Sequence, residues 1–119
     1  MGIQWVERNG KRILYADYTG ANTEEMMQNL ETTKQMVAGM TGGLLSLTNF
    51  SGAKVDMTFM QHLKVVGKEA FEPITEKEAL VGIHGVRHIL VQAYNTFTGA
   101  GEHQRIFDTE EEAIEWLTS

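Results

Sequence analysis

The sequence predicts an α/β domain in which a mixed β-sheet is flanked by four helices, in the order β-β-α-β-α-β-α-β-α. Two β-type segments joined by a turn signal, short apolar segments typical of buried strands, and intervening segments of helical periodicity support this prediction. Strands that alternate with helices are joined by right-handed crossovers. We therefore expect strands two to five to be parallel and the first strand to be antiparallel at one edge. The whole chain, residues 1–119, is expected to form a single domain.

The first two strands are predicted on either side of Asn9-Gly10. This dipeptide takes up positive φ readily and favours a type I′ turn, so Ile3–Arg8 and Lys11–Asp17 are expected to form an antiparallel hairpin. A helix is then predicted to begin at Asn22, because Asn22 and Glu25 have the spacing of a capping box. Its apolar residues recur near the helical period and are Met26, Leu30, Val37 and Met40.

The rest of the chain continues this alternation. Gly39, Gly42 and Gly43 are expected to end the first helix, and the apolar segment Leu44–Asn49 is typical of a buried central strand. A second helix is predicted with Phe59, Leu63, Val66 and Ala70 on one face, and Pro73 is expected to end it. A buried strand at Ala79–Ile83 and a third helix from about Val86 to Thr98 follow. The chain then ends with a short strand at Gln104–Phe107 and a last helix, which is expected to be capped by Asp108 with Glu111.

The composition is that of an ordinary globular domain and disfavours several functions. With 119 residues, of which 42% are hydrophobic and 22% charged, the chain can bury a core without a disulfide or a structural metal. It contains no cysteine, and we expect a cytoplasmic protein without membrane insertion, since its start lacks the order of a signal peptide. The net charge of -6, from 16 acidic and 10 basic residues, disfavours nucleic acid as a partner.

The sequence also predicts no enzyme activity, cofactor or metal site. Gly99-Ala100-Gly101 follows a predicted helix, whereas a dinucleotide fingerprint must follow a strand and open a helix. His84 and His88 have an i, i+4 interval, but His84 is expected at the end of a strand, outside the helix. No serine lies in a nucleophile elbow, and the runs of glutamate fall in first helical turns, where negative charge stabilises the helix.

Several polar residues are expected together at one edge of the sheet. In a parallel sheet the loops at the carboxyl ends of the strands share an edge, here called the carboxyl rim, and ligands usually bind there. The segments predicted at the carboxyl rim are Asp17–Ala21, Asn49–Val55, His84, Gly85 and Asp108. Asn49, Ser51 and His84 are therefore candidate contacts for a partner or a ligand.

The segment from Thr48 to Gln61 is the most informative one for function. It leads from a predicted buried strand through a loop of small residues to Asp56 and Thr58, just ahead of the second helix. Here the sequence resembles the STAS family, the sulfate-transporter and anti-sigma-factor-antagonist domain with the SpoIIAA-like fold. In that family Asp-Ser-Ser-Gly or a relative follows the strand, and a partner kinase phosphorylates the second hydroxyl residue. The resemblance implies that Asp56 takes the Asp position, as a candidate contact, and that Thr58 is the candidate phosphorylation site.

The resemblance extends over nearly the whole chain in element order. Four stretches are closer still to a bacterial branch of STAS-like proteins, related in name to the CRAL-TRIO lipid-transfer domains. They are Arg12–Gly20, Leu44–Gly52, Val81–Gly85 and Phe107–Leu117. Membership of that branch implies the fold but no established activity.

The chemistry at Thr58 leaves two alternatives open. If Asp56 is the N-cap of the second helix, Thr58 lies in the first turn, where free amides and the helix dipole favour a phosphate. Phosphorylation would then add about -1.5 to -2 charge at this point. In the alternative, Thr58 is itself the N-cap, and Gln61 is its capping-box partner.

The predicted third helix carries more apolar surface than one sheet face needs. One stripe consists of Val86, Ile89, Leu90, Ala93 and Phe97, and a second stripe of Val91, Tyr94 and Thr98 lies beside it. Val91 and Tyr94 are therefore candidate contacts for a protein partner or for a second copy of the chain, as a homodimer through the Val86–Thr98 helix. Alternatively, the last helix with Trp116 covers the second stripe.

Two hypotheses of function follow from these patterns. The first is a non-enzymatic, bacterial, protein-protein interaction or regulatory domain, which binds a protein partner or a second copy of itself and is controlled by phosphorylation at Thr58. The second is a small-molecule or lipid-binding domain, in which an apolar pocket at the carboxyl rim holds a small apolar ligand.

Overall fold

Strands and helices alternate along the residues that the computed structural model describes, which are 2–83 and 103–119. Their elements are β1 (Gly2–Arg8), β2 (Lys11–Asp17), α1 (Thr23–Met36), β3 (Leu44–Asn49), α2 (Met57–Val66), a π-helical segment (Gly67–Phe71), β4 (Thr75–Val81), β5 (Gln104–Phe107) and α3 (Glu110–Leu117). The predicted α/β class is confirmed. The third of the four predicted helices, over 86–98, lies outside the described residues.

The five strands form one sheet in the order β1-β2-β3-β4-β5. β1 is antiparallel to β2, and the turn residues Asn9 and Gly10 have φ of 53° and 77°, the positive values of a type I′ turn. The pairs β2 with β3, β3 with β4, and β4 with β5 are all parallel. One row of paired residues crosses these four strands, and it consists of Leu14, Ser46, Glu78 and Gln104.

Different helices cover the two faces of the sheet. On one face α1 and α2 pack on the strands through Met26 and Phe59, both fully buried, against residues such as Leu80. On the other face Leu117 of α3 packs against Leu47. Burying a side chain of this size stabilises the fold by roughly 1.5 to 3 kcal/mol. The sheet is therefore a central layer, which explains why β3 is apolar on both of its faces.

Two boundaries in the first half and middle of the chain differ from the prediction. α1 ends at Met36 rather than near Met40, because the chain turns after Val37 and Gly39 has a φ of 88°. β4 begins at Thr75, well before the predicted strand, because the polar segment after Pro73 pairs with β3 although it lacks the apolar signature of a buried strand. In the residues described, no helix has the length and apolar character needed to cross a membrane.

The cap of the last helix is also one residue away from the predicted position. Thr109, and not Asp108, is the N-cap of α3, since its Oγ1 accepts a hydrogen bond from the amide of Glu112 at 3.2 Å. The Glu112 carboxylate accepts in turn from the Thr109 hydroxyl at 3.0 Å. Both pairs, Asp108 with Glu111 and Thr109 with Glu112, have capping spacing, so only the three-dimensional path of the chain distinguishes them.

Candidate functional site

The loops that follow β2 and β3 contact each other at the carboxyl rim. The amide of Tyr18 donates to the carbonyl oxygen of Asn49 at 2.8 Å, and the amide of Gly20 donates to the carbonyl oxygen of Ser51 at 2.9 Å. These two bonds continue the pairing of the strands into the loops. The structure thus brings together the segments 17–21 and 49–55, as predicted for the carboxyl rim.

Asp56 joins the first turns of the two helices that start at this edge. It is the N-cap of α2, and its Oδ1 accepts from the amide of Phe59 at 2.9 Å. Its Oδ2 accepts from the hydroxyl of Thr23, the first residue of α1, at 2.6 Å. The Thr23 hydrogen bond, followed by the bond from the Phe59 amide, lowers the pKa of the Asp56 carboxyl. Asp56 is therefore a negatively charged cap that links α1 to α2.

Thr58 is the second residue of α2, and its side chain is exposed. Because Asp56 caps the helix, the alternative in which Thr58 is the N-cap with Gln61 is wrong. Among the described residues the Thr58 hydroxyl has no hydrogen-bond partner. Its neighbour Met57 is 58% exposed. The start of α2 therefore displays an accessible hydroxyl next to an apolar side chain and a carboxylate.

The side chain of Asn49 is engaged within the protein. Its Oδ1 accepts from the amide of Ser51 at 2.9 Å, and its Nδ2 donates to Oε2 of Glu110 at 3.1 Å. The hydroxyl of Tyr15 donates to the same carboxylate oxygen. Burial, followed by the hydrogen bond to Glu110, raises the pKa of Tyr15 to about 12. Asn49 thus fastens the start of α3 to the sheet, a role that its position at the carboxyl rim alone did not predict.

Ser51 is exposed, and the backbone of Gly82 lies directly against it. Gly82 has a φ of 77°, and a Cβ at this position would be 2.5 Å from the backbone nitrogen of Ser51. Only glycine tolerates both the conformation and the close approach. The glycine inside the apolar run from Val81 to Ile83 is the sequence signal of this contact.

A partly enclosed cavity of about 70 Å³ lies between the sheet and the helices α1 and α2. Most of its described lining is apolar, and it includes Leu14, Leu30, Phe50, Phe59, Met60 and Leu80. The cavity begins near the carboxyl rim, at Val55, and extends under the helices to Thr75 at the opposite end of β4. It is therefore located deeper than the apolar pocket predicted at the carboxyl rim.

A small set of polar groups faces this cavity. Glu78 and Gln104 are in register on β4 and β5, and their side chains are hydrogen-bonded to each other. Burial raises the pKa of the Glu78 carboxyl, and the hydrogen bond from Gln104 partly offsets this effect. Tyr18 also lines the cavity and is hydrogen-bonded to Thr33, and burial raises the pKa of its hydroxyl.

Sequence reasoning did not find this polar set. Glu78 directly precedes the apolar residues 79–81, and Gln104 is the first residue of a short predicted strand, but no local pattern relates the two. They are brought together because β4 and β5 are neighbours in the sheet.

The remaining predicted site residues lie outside this arrangement. His84, Val91 and Tyr94, together with the homodimer contact predicted through 86–98, fall outside the described residues. Within residues 2–83 and 103–119, no group of three or more His, Asp and Glu side chains is placed to hold a metal ion. His62 of α2 has its Nε2 3.5 Å from Oε1 of Glu31 on α1.

The comparisons with known proteins identify the fold. No protein-family model matches the sequence, and no curated protein is similar enough to be matched. An uncharacterized protein of the DUF3478 family with a SpoIIAA-like fold, from Shewanella loihica, is similar with a TM-score of 0.72 and 15% identity, over 98% of this chain and 92% of that one. An anti-sigma-factor antagonist (STAS) domain protein from Planctomyces limnophilus is similar with a TM-score of 0.65 and 16% identity, over 100% of both chains. The protein therefore has the SpoIIAA-like fold that the resemblance implied.

Proposed function

We propose that the chain is a non-enzymatic regulatory domain that binds a protein through the carboxyl rim at the start of α2. The observation that carries this proposal is the exposed hydroxyl of Thr58, two residues after the cap Asp56 and beside the exposed Met57. The similarity in fold to an anti-sigma-factor antagonist domain supports a protein partner.

Phosphorylation of Thr58 would change this surface through charge. The carboxylate of Asp56 already occupies the positive end of α2 and accepts the Thr23 hydroxyl at 2.6 Å. A phosphate on Thr58 would add about -1.5 to -2 charge next to this carboxylate. The repulsion would weaken the link between Asp56 and Thr23 and would make the start of α2 strongly negative. Thr58 is in this way a switch for a partner that contacts the carboxyl rim.

Phosphorylation is tested by incubating the purified protein with ATP and a native lysate of the organism that encodes it, followed by phosphopeptide mapping. We expect phosphate on Thr58 of the wild type and no phosphate at this position in Thr58→Ala. The matched control is Thr32→Ala, which changes an exposed threonine of α1 and should leave the phosphorylation of Thr58 intact. Phosphate only at other residues, or none at all, would contradict the switch.

Binding at the carboxyl rim is tested with two exposed apolar residues of α2. Met57 is 58% exposed at the start of the helix, and Val65 is 55% exposed near its end. We expect Met57→Glu to abolish retention of the partner from the lysate, while Val65→Glu retains it as well as the wild type does. If the two variants retain the partner equally well, the partner does not contact the protein at the start of α2. Retention of a second copy of the chain would identify the homodimer as the partner.

Small-ligand binding is the second candidate function, and the cavity under α1 and α2 is the observation that favours it. A volume of about 70 Å³ has room for about five water molecules. This space suits a molecule of a few heavy atoms better than a lipid with a long acyl chain. Native mass spectrometry after gentle purification should then reveal a bound small molecule. A clean apo mass, with no thermal shift across a panel of lipids and small metabolites, would contradict this candidate.

A further inference from the structure

One buried polar side chain in the lining of the cavity has an acceptor atom without a hydrogen-bond partner. Gln104 is 6% exposed and lines the cavity, and its Oε1 has no hydrogen-bond partner. The side chain is hydrogen-bonded to Glu78. Because Oε1 is unpaired, the amide N–H groups of Gln104 make that bond to the carboxyl group. The amide oxygen is left as an acceptor without a donor.

An unpaired acceptor in this position is unusual for a folded protein. Buried polar atoms nearly always have a partner, and leaving one without a donor is unfavourable. Hydroxyl-bearing residues such as Ser46 and Thr75 also line the cavity, but neither donates a hydrogen bond to Gln104 Oε1. A molecule inside the cavity that carries an N–H or O–H group would complete the set.

The surroundings of Gln104 define the chemistry of such a molecule. Most of the described lining is apolar, which favours a hydrocarbon body, and the volume of about 70 Å³ limits its size. A carboxylate or a phosphate is disfavoured, because it would place a negative acceptor against both Gln104 Oε1 and the Glu78 carboxyl group. A neutral donor group avoids both unfavourable contacts, because it carries no negative charge and can donate a hydrogen bond to Gln104 Oε1.

We propose that the cavity binds a small molecule with an apolar body of about five carbon atoms and a neutral hydroxyl or amide group that donates a hydrogen bond to Gln104 Oε1. This inference rests on the second candidate function, the binding of a small ligand in the cavity. It adds the head group that the cavity selects and the residue that selects it.

Two isomers test the selection, since n-pentanol and butyl methyl ether contain the same atoms but only the alcohol has a donor. Their dissociation constants are measured by NMR titration of the labelled protein. We expect the wild type to bind the alcohol about tenfold more tightly than the ether, because the ether leaves Gln104 Oε1 unpaired. Gln104→Leu should reduce this preference to less than about twofold. Gln61→Leu, an exposed glutamine of α2, is the matched control and should keep the full preference.

The outcomes separate this inference from the function on which it rests. Equal affinity for the two isomers in the wild type would overturn the donor selection and leave small-ligand binding in place. Binding of neither isomer up to its solubility would overturn both. Pentanoate that binds as tightly as n-pentanol would overturn the neutral head group. The comparison within the wild type decides the result even if Gln104→Leu does not fold.

Discussion

Gly82 brings the end of β4 against the loop that follows β3. Its φ is 77°, and a Cβ there would lie 2.5 Å from the Ser51 nitrogen and 2.6 Å from the Ser51 Oγ. We expect Gly82→Ala to lower the free energy of unfolding by about 3 kcal/mol, because a steric overlap is added to the cost of left-handed backbone in an L residue. Urea unfolding followed by tryptophan fluorescence measures this change.

Alanine substitutions at two other glycines distinguish the two causes of this loss of stability, the steric overlap with Ser51 and the left-handed backbone conformation. Gly43 has a φ of 75° with nothing within 4 Å of a Cβ, so Gly43→Ala should cost only about 1 kcal/mol. Gly42 has neither a positive φ nor a close neighbour, so Gly42→Ala should change the stability by less than about 0.5 kcal/mol. If Gly82→Ala is no worse than Gly43→Ala, the contact with Ser51 is not the cause.

At the scale of elements, α3 is fastened to the sheet by its first residue. The Glu110 carboxylate accepts from Tyr15 on β2 and from Asn49 on β3. We expect Tyr15→Phe and Glu110→Gln each to lower the free energy of unfolding by about 1 to 2 kcal/mol, because each weakens a partly buried charged hydrogen bond. The double variant should show a coupling of about 1 kcal/mol in a thermodynamic cycle.

The neighbouring glutamate provides the control for this cycle. Glu111 is exposed on the first turn of the same helix, so Glu111→Gln should change stability by less than about 0.5 kcal/mol. Strictly additive effects of Tyr15→Phe and Glu110→Gln would show that the hydrogen bond does not hold α3 in place.

At the scale of the whole molecule, the partly buried Glu78 makes stability depend on pH. Its pKa in the folded protein is raised above the ordinary 4.5, so the folded state binds this proton more tightly than the unfolded state. The contribution of Glu78 to stability is therefore fully present below pH 4.5 and is lost as pH rises through the folded-state pKa. We expect the stability of Glu78→Gln, relative to the wild type, to increase over this range and then to level off.

The experiment compares urea unfolding of the two proteins across this pH range. Glu76→Gln, at an exposed position of the same strand, should differ from the wild type by a constant amount. A difference between Glu78→Gln and the wild type that does not vary with pH would contradict the raised pKa. The Tyr18 hydroxyl, which faces the same cavity and interacts with Glu78, titrates far above this range.

Features that depend on residues close in the chain were predicted correctly from the sequence. The turn at Asn9-Gly10 and the capping box of Asn22 with Glu25 are both present in the structure. Each requires only that residues within about four positions of one another adopt a local conformation that their side chains favour. The periodicity of apolar residues similarly predicted the α/β class, since a helix or strand buries one side wherever it packs.

Features that depend on the pairing of distant segments were decided only by the tertiary structure. Tyr15 and Glu110 are 95 positions apart, and no local pattern relates them. The same is true of Glu78 and Gln104, whose side chains meet because β4 and β5 are paired in one register. A shift of one residue would turn each side chain to the opposite face, and burial of the whole sheet under its helices selects the register. The sequence by itself therefore determined the α/β class, the turn and the first-helix cap, whereas sheet packing decided which polar groups face the cavity.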